Sequence, residues 1–415
     1  MDIYNLVSFV GLFVLLALAW AVSADRRRMN WRVIGWGVGI QLVLGAVVFW
    51  TPGSRDAFGW INDAVLSLLS ASQAGQKLLF GKLATDAEPW GFVLALQALP
   101  VIIFFAALMS LLYHWRVLPA IIRGFAWVFT RLMRISGAES LCVASNIFVG
   151  VESATVVQPL LGRMTRSEFC TILTAGMATV ASSTLAVYVG FLGDKFPGIA
   201  GHLISASILS APAAIVFSKI LVPEDGKPVT LGTHVRPELE ERAGAIDAII
   251  AGAMAGVRLV VGVVALLIAF LGMIALVDLL LGVAGGWFGA DLSIAMLLGY
   301  VFRPIAALIG VPWADSQLAG EMLGKRLVAT EIPAYLDLAA AMKAQAFTHP
   351  RSHVVIAYAL CGFAHVASLA IFVGGIAALV PDRRKDLAAV GPRALLAATL
   401  ACLMTGAIAG TFFAG

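Results

Sequence analysis

The 415-residue sequence is poor in charge: only 13% of its residues are Asp, Glu, Lys or Arg, whereas 60% are hydrophobic. Soluble globular domains carry about 25% charged residues. Together with a mean hydropathy of +0.95, this scarcity excludes a soluble protein. The composition predicts an all-α polytopic membrane protein.

Cysteine is also scarce, with four residues in the chain: Cys142, Cys170, Cys361 and Cys402. All four lie in apolar segments, and no two of them have the close spacing of a metal-binding or redox pair. We therefore expect packing residues and neither disulfides nor metal ligands.

The motifs of membrane enzymes are missing from the sequence, which contains neither HExxH nor GxSxG. The segment GFLGD, Gly190 to Asp194, weakly resembles an intramembrane aspartyl protease motif, but it ends a span and no second helical aspartate could pair with it. We expect no enzyme and no organic cofactor. A channel stays open as an alternative, although channels tend to close symmetric rings around a filter.

Eight largely uncharged stretches are long enough for a helix to cross a hydrocarbon core of roughly 30 Å. They run from Ile3 to Ala24, Val33 to Ser54, Trp90 to Trp115, Phe169 to Gly193, Phe196 to Ser218, Leu259 to Val277, Val354 to Val380 and Ala394 to Gly415. We therefore predict about eight transmembrane helices. The first stretch has no small-residue cleavage site after it, which predicts a retained helix and not a signal peptide.

Basic residues indicate how these helices are oriented. They cluster at Asp25 to Arg28, at Arg116, Arg123, Arg131 and Arg134, and at Asp382 to Lys385. All three clusters lie inside if the N-terminus lies outside, so we interpret them as topology signals and expect no nucleic-acid partner. The sequence thus predicts a multi-pass protein of a bacterial inner (plasma) membrane, in contact with lipid. Trp90, Trp115 and Trp287 suit the membrane interfaces.

An internal repeat is the most informative feature of the sequence. GMATVAS at Gly176 to Ser182 recurs as GFAHVAS at Gly362 to Ser368, with five of seven positions identical. A segment that contains a glutamate precedes each copy, FVGVES ending at Ser153 and LVATEI ending at Ile332. Each unit is therefore a glutamate-bearing segment followed by a helix that small and hydroxyl residues interrupt.

The glutamate segments, Ser136 to Met164 and Asp315 to Lys343, carry central charges and turn-prone residues, which predicts two re-entrant hairpins. Irregular backbone at membrane depth requires burial in protein or a wet cavity. We count three crossings between the hairpins and interpret Leu292 to Ile309 as an interfacial helix. An odd number of crossings inverts the second repeat, as in many secondary transporters.

Glu152 and Glu331 would then lie at the two hairpin tips and face each other near the membrane centre. Acids within the membrane are costly and usually functional, which favours a ligand-binding role over capping of backbone amides at the same tip. The hydroxyls of Thr179, Ser182, Ser183 and Thr184 could serve a ligand or could bond the preceding helical turn, and both roles stay open.

These residues also resemble a known family, the concentrative nucleoside transporters. The resemblance lies in NIFVG…ES from Asn146, IGVPW at Ile309 to Trp313, E-x-x-AY at Glu331 to Tyr335, and CGFA…S with GG…VP from Cys361 to Pro381. It covers roughly Gly137 to the C-terminus, and earlier residues match only in hydrophobic pattern.

The resemblance implies a sodium- or proton-driven importer, a homotrimer, and an elevator-like motion of the hairpin domain against a scaffold. The predicted parts are scaffold helices at 1–115, an interfacial helix at 116–134, the first hairpin and broken helix at 135–220, a cytoplasmic linker at 221–247, a scaffold helix and an interfacial helix at 248–311, and the second hairpin, broken helix and last helix at 312–415.

The resemblance also implies site residues. A sodium ion would be bound by Asn146, Val149, Thr179 and Val180, whose carbonyl, amide and hydroxyl oxygens suit a hard cation. Ribose would be bound by Glu331, His365 and Ser368, and the nucleobase by Val151, Glu152 and Thr184.

Two departures from the family pattern fall within this site. Gly150 to Glu152 reads GVE where the family usually has GQTE, and His365 replaces an asparagine. Changed polar groups in a buried site change selectivity, so a nucleoside, a nucleobase, a modified nucleoside or another small polar solute all stay open. His365 also adds a group that can titrate near neutral pH, although we favour sodium coupling over proton coupling.

Overall fold

The computed structural model describes residues 2–51, 53–84, 92–193, 195–235, 243–286 and 292–414. Trp90, Asp194 and Trp287 lie outside the described residues. In the described ranges the chain is helical and contains no β-strand, only an isolated bridge between Ser136 and Leu231. The predicted all-α class is therefore confirmed.

Seven segments of the described chain are long and apolar enough to cross a membrane. They are Ile3–Ala21, Trp31–Trp50, Leu94–His114, Arg166–Leu192, Ile199–Leu221, Ala245–Val283 and Pro381–Phe412. The predicted eighth stretch, Val354 to Val380, is divided between two helices of 11 and 14 residues. Every one of the seven coincides with a stretch that the sequence predicted to span.

The N-terminal part forms three long helices, α1 (Ile3–Ala21), α2 (Trp31–Trp50) and α3 (Ser54–Phe80). The sequence analysis did not predict α3, because Asp56, Asp63 and Lys77 interrupt its apolar residues and exclude an uncharged run. Helices α1 and α2 pack against two later helices, Ile199–Leu221 and Arg384–Phe412.

Next come α4 (Leu94–Gln97), α5 (Val101–His114) and α6 (Val117–Met133). Helix α6 occupies the range predicted for an interfacial helix. It buries Leu118, Ile122, Ala126, Phe129 and Met133, at helical spacing, and exposes Ile121 and Trp127. The residues that flank it, Arg116 and Arg134, have φ angles of 63° and 52°, so the chain turns sharply at both ends of this amphipathic helix.

The first glutamate segment folds as α7 (Gly137–Asn146), a 3₁₀ helix (Val151–Val157) and α8 (Gln158–Leu161), with the 3₁₀ helix packed back against α7. We call this segment hairpin 1. The following helix is interrupted as predicted, with α9 (Arg166–Ala178) and α10 (Ser182–Leu192) on either side of a break at residues 179–181. Capping boxes begin α7 at Ser136 and α9 at Thr165.

Helix α11 (Ile199–Leu221) is mostly buried, whereas α12 (Ala245–Gly286) is mostly exposed. The 42 residues of α12 span roughly 63 Å at 1.5 Å per residue, about twice the thickness of a hydrocarbon core. Helix α12 packs against α5, where a Cβ added to Gly252 would lie 2.6 Å from the Ala106 carbonyl oxygen. Glycine therefore permits the close approach of these two helices.

The remaining helices are α13 (Ile294–Leu308), α14 (Ser316–Val328), α15 (Glu331–Lys343), α16 (Pro350–Leu360), α17 (Val366–Leu379) and α18 (Arg384–Phe412). Helices α14 and α15 pack together around a short turn at residues 329–330, and we call them hairpin 2. Helices α16 and α17 form the second interrupted helix, with its break at residues 361–365.

The two breaks lie next to each other at Gly362, where an added Cβ would be 2.7 Å from the Ala178 carbonyl oxygen. The position of the helix break within the repeated motif differs between the two units. The first half-helix extends to Ala178 inside its copy, whereas the second ends at Leu360, before its copy begins at Gly362. The two units thus share an order of elements, and the inverted relation between them stays a prediction.

Candidate functional site

A cavity of about 620 Å³ separates the two hairpins and the broken helices from helices α5 and α12. The hairpin side contributes Ser145, Phe148, Val149, Gly150, Thr155, Val156, Ala181, Ser183, Thr184, Thr330, Glu331, Ile332, Phe363, His365, Ser368, Ile371 and Phe372. Most of the polar side chains that line the cavity lie on this hairpin side. We therefore expect the polar contacts to a ligand to come mainly from the hairpins and broken helices.

Glu331 is the first residue of α15, so its carboxylate stands at the positive end of a helix dipole. It is buried, with 3% of its surface exposed. Its Oε1 accepts a hydrogen bond of 2.7 Å from the Tyr188 hydroxyl. The Tyr188 ring stacks on that of Tyr335 at a centroid distance of 4.3 Å, which fixes the hydroxyl in place.

The second carboxylate oxygen, Oε2 of Glu331, lies 3.1 Å from Nε2 of His365. The contact does not have hydrogen-bond geometry, and Oε2 has no hydrogen-bond partner among the described residues. A carboxylate oxygen can accept two hydrogen bonds, so Oε2 can accept a bond from a ligand hydroxyl.

His365 is the N-cap of α17, and its Nδ1 accepts the Ser368 amide hydrogen at 3.2 Å. A backbone amide can only donate, so Nδ1 must be unprotonated and the ring hydrogen is assigned to Nε2, which faces Glu331. The one hydrogen of the Ser368 hydroxyl has two nearby acceptors, the carbonyl oxygens of His365, at 2.7 Å, and Phe363, and the hydroxyl oxygen accepts the His365 amide hydrogen at 3.3 Å. That oxygen can accept one further bond from a ligand.

The three ribose-binding predictions, Glu331, His365 and Ser368, therefore line one wall of the cavity. Thr184, predicted to contact the nucleobase, is buried and lines the same cavity. The side chains of Val151 and Glu152 lie outside the described residues, so their contacts stay a prediction. Their backbone forms the start of the 3₁₀ helix in hairpin 1.

The four predicted sodium ligands come together where the turn of hairpin 1 meets the first break. The Thr179 hydroxyl lies 2.9 Å from the carbonyl oxygens of Asn146 and Ala175, and the Ser182 amide donates to the Phe148 carbonyl at 3.1 Å. The side-chain Oδ1 of Asn146 is buried and has no partner in the described chain. The carbonyl, amide and hydroxyl oxygens of these four predicted sodium ligands are all neutral.

Two residues of the site were missed by the sequence analysis, Tyr188 and Ser207. The Ser207 hydroxyl on α11 lies 3.3 Å from the Ile147 carbonyl oxygen and 3.4 Å from that of Val180, so it joins the hairpin turn to the break. The repeated hydroxyls of α11, at Ser205, Ser207 and Ser210, are an available signal, since an apolar span rarely needs them.

All four cysteines are buried and none forms a disulfide. Cys402 on α18 lies between the two breaks, with its Sγ 3.7 Å from the Ala178 carbonyl oxygen and 3.6 Å from that of Cys361. In the described ranges, no group of three His, Cys, Asp or Glu side chains lies close enough to hold a metal.

Comparison with known families covers most of the chain. Residues 10–83 match the family described as Na+ dependent nucleoside transporter N-terminus, and residues 202–410 match its C-terminus. Residues 95–195 match a domain described as Gate, for nucleoside recognition.

Individual relatives give the same result. The chain is 36% identical to the nucleoside permease NupC of Helicobacter pylori, with 98% of each protein covered. It is 35% identical to the rat sodium/nucleoside cotransporter 1, covering 99% of this chain but 64% of that longer protein. It is also similar to the structure of CNTnw in an inward-facing substrate-bound state, with a TM-score of 0.90, 37% identity, and coverage of 99% of this chain and 98% of that one.

Proposed function

Because this chain belongs to the concentrative nucleoside transporter family, we propose that it imports nucleosides by sodium symport. The family consists of transporters, so the chain is not an enzyme, and its apolar helices make it a multi-pass protein of the inner membrane. The observation that carries the proposal is the buried Glu331 carboxylate, which lines one cavity together with Val149, Thr184, His365 and Ser368.

Ribose recognition follows from the donors and acceptors of one cavity wall. The vicinal hydroxyls of a ribose can donate to Oε2 of Glu331, which has room for a further hydrogen bond. Nε2 of His365 can donate to a ribose oxygen, and the Ser368 hydroxyl can accept from one. Hydrogen bonds to a charged group contribute about 1.5 to 3 kcal/mol each, so Glu331 would dominate ribose affinity.

The nucleobase would lie towards hairpin 1, where Thr184, Val151 and Glu152 are its predicted contacts. This hairpin lacks the amide side chain of the usual family motif, since Val151 stands where the family has polar residues. Fewer polar partners weaken discrimination of the base edge. We therefore expect a substrate range that differs from that of relatives with GQTE, with nucleobases and modified nucleosides as competing candidates.

Sodium is favoured as the coupling ion because the Asn146 group offers neutral oxygens and a buried Oδ1 without a partner. Hard cations prefer such oxygen ligands. The observation that favours the proton instead is the 3.1 Å contact between His365 and Glu331. However, Nδ1 of His365 already accepts an amide hydrogen, which favours the neutral ring as a substrate ligand.

Coupling of ion and substrate would follow from their shared hairpin. Asn146 and Val149 precede Val151 and Glu152 by only a few residues in hairpin 1. A sodium ion that draws together the hairpin turn and the first break would order the same turn that holds the base contacts. Ion binding would therefore raise substrate affinity, and substrate binding would raise ion affinity equally.

We propose an elevator-like motion in which the hairpins move against a scaffold formed by helices of residues 1–115 and by α12. Helices α5 and α12 pack on each other on the wall of the cavity opposite the hairpins, which suits a static scaffold. The contacts of α1 and α2 with α11 and α18, and of α5 with α10, then form the boundary between the scaffold and the moving domain. The apolar surface that α12 exposes suits contact with lipid or with the other copies of the homotrimer that the family resemblance implies.

Transport by the purified protein in proteoliposomes tests the proposal. We would measure counterflow of labelled nucleosides and nucleobases at fixed pH, in sodium and with choline in its place. Sodium-dependent, saturable counterflow of nucleosides is expected. Flux without counterflow would indicate a channel, and exchange of nucleobases but not nucleosides would replace the proposed substrate.

A further inference from the structure

Arg326 is a fully buried cation near the tip of hairpin 2. It lies on α14, two residues before that helix ends, and none of its surface is exposed. Its Nη1 donates to the Ala359 carbonyl oxygen at 2.7 Å. Its Nε and Nη2 have no well-aligned hydrogen-bond partner among the described residues, and the thiol of Cys402 lies next to the guanidinium. No carboxylate of the described chain forms a salt bridge with it, whereas the neighbouring Lys325 pairs with Asp337.

A buried guanidinium without a carboxylate needs another source of stabilisation, because it carries a positive charge and loses its hydration on burial. Ala359 lies in the last turn of α16, just before the second break. The carbonyl groups of a last helical turn lack partners within the helix and give that end a negative potential. The negative end of α16 therefore supplies the counter-charge for Arg326.

A second bond ties the other arm of hairpin 2 to the same helix end. The Tyr335 hydroxyl on α15 donates to the Ala357 carbonyl oxygen at 2.9 Å. Both arms of hairpin 2 thus contact the last turn of α16. Since Glu331 begins α15, these contacts also hold the carboxylate that faces the cavity.

Among the described residues, no cation donates to a carbonyl oxygen of the first break. Those carbonyl oxygens have neutral donors: the Thr179 hydroxyl at Ala175, the Ser207 hydroxyl at Val180 and the Cys402 thiol at Ala178. Hairpin 1 instead presents the buried Oδ1 of Asn146 without a partner. The two hairpins therefore meet their broken helices with different electrostatics.

We propose that Arg326 is a built-in cation that does for hairpin 2 what the coupling ion does for hairpin 1. Hairpin 2 is then held against α16 whether or not sodium is present, and sodium dependence is confined to hairpin 1. The inference rests on the sodium site of the proposed function, and Arg326 acts as a positioning residue for Glu331.

Hydrogen exchange, measured by mass spectrometry on the full-length protein in lipid nanodiscs, tests this proposal without relying on transport. In wild-type protein, replacing choline by sodium should slow exchange in peptides that cover hairpin 1 and leave peptides over Arg326 to Tyr335 unchanged. In Arg326→Gln, exchange over those hairpin 2 peptides should rise about tenfold or more, because a bond to a charged group is lost. Arg326→Lys should preserve most of the protection.

Lys325→Gln is the matched control, since it removes a neighbouring positive charge from a half-exposed surface pair. Two results would overturn the proposal: equal sodium protection of both hairpins in wild-type protein, which needs no variant, or hairpin 2 exchange in Arg326→Gln that matches Lys325→Gln. Sodium that protects neither hairpin would overturn the sodium site of the proposed function, and the Arg326 variants would still decide whether the charge holds hairpin 2.

Discussion

The hydroxyl of Tyr188 donates a 2.7 Å hydrogen bond to the Glu331 carboxylate and thereby joins the first broken helix to hairpin 2. The two residues are 143 positions apart in the chain. The bond aims Oε1 at α10 and leaves Oε2 beside His365. The orientation of the principal substrate carboxylate therefore depends on a residue from the other repeat.

Removal of the Tyr188 hydroxyl should weaken substrate binding. In Tyr188→Phe the ring can still stack on Tyr335, but Glu331 loses a charge-assisted hydrogen bond worth about 1.5 to 3 kcal/mol. We expect the substrate concentration for half-maximal uptake to rise by roughly 10-fold or more. Tyr358→Phe is the control, because its buried hydroxyl lies 3.1 Å from Nδ1 of His202 and does not bond Glu331. Equal effects of the two variants would contradict a specific role for the Tyr188 bond.

Neutralisation of Glu331 should have a larger effect. Glu331→Gln keeps the side-chain shape but removes the charge that accepts bonds from Tyr188 and from ribose hydroxyls. Uptake should fall sharply, and the same prediction stands for Glu152→Gln. Asp337→Asn, a half-exposed carboxylate on the same helix as Glu331, should transport normally. Wild-type substrate affinity in Glu331→Gln, measured by titration calorimetry, would exclude Glu331 as the ribose ligand.

The breaks and hairpins were predictable from the sequence, because each leaves a local signature. Small and hydroxyl residues interrupt an apolar run at Thr179, and a lone acid such as Glu331 marks a turn that no lipid-facing span would contain. Helix α3 was missed since its signature is amphipathic and not uniformly apolar. Hydropathy finds spans more readily than helices that mix charged and apolar residues.

The remaining features of the site depend on contacts between distant segments. Nothing near Tyr188 in the sequence indicates that its hydroxyl meets Glu331, and nothing near Ser207 indicates that it bonds two other segments. The tautomer of His365 likewise depends on cap geometry and not on residue type. A single sequence shows local patterns only. The contacts of Tyr188 and Ser207 and the tautomer of His365 depend on how several helices pack together.

We expect that a proton gradient does not drive substrate uptake by this protein. Nδ1 of His365 accepts an amide hydrogen, so a proton added there would break the N-cap of α17. An inward proton gradient in sodium-free buffer should therefore drive no accumulation in proteoliposomes. His365→Asn keeps a side-chain acceptor for the cap and should retain sodium-driven uptake, with altered substrate preference. Proton-driven accumulation that His365→Asn abolishes would reverse this assignment.

Ser207 should influence sodium affinity without binding substrate. Its hydroxyl lies within hydrogen-bond distance of the Ile147 and Val180 carbonyl oxygens, and Val180 is a predicted sodium ligand. Ser207→Ala removes a neutral hydrogen bond worth about 0.5 to 1.5 kcal/mol, so the sodium concentration for half-maximal uptake should rise about 2- to 10-fold. Ser210→Ala, which loses only a bond within α11, should leave it unchanged. A change in substrate affinity at saturating sodium would argue against this role.

Asn146 provides the most direct test of the coupling ion. Its Oδ1 is buried and has no partner, while its Nδ2 donates to the Cys142 carbonyl oxygen at 3.1 Å, so the amide is held with its oxygen away from its own helix. Asn146→Ala removes this oxygen and should abolish sodium-stimulated uptake or raise the required sodium concentration by about tenfold or more.

Ser140→Ala on the same helix is the matched control for Asn146→Ala, because the buried Ser140 hydroxyl bonds only the carbonyl oxygen of Ser136. Sodium titrations of nucleoside uptake on both variants separate ion binding from general damage to hairpin 1. If the sodium dependence of Asn146→Ala equals that of Ser140→Ala and of the wild type, the ion does not bind at Asn146. Because Asn146 would affect the substrate only through the bound ion, nucleoside affinity in sodium-free buffer should be the same in all three proteins.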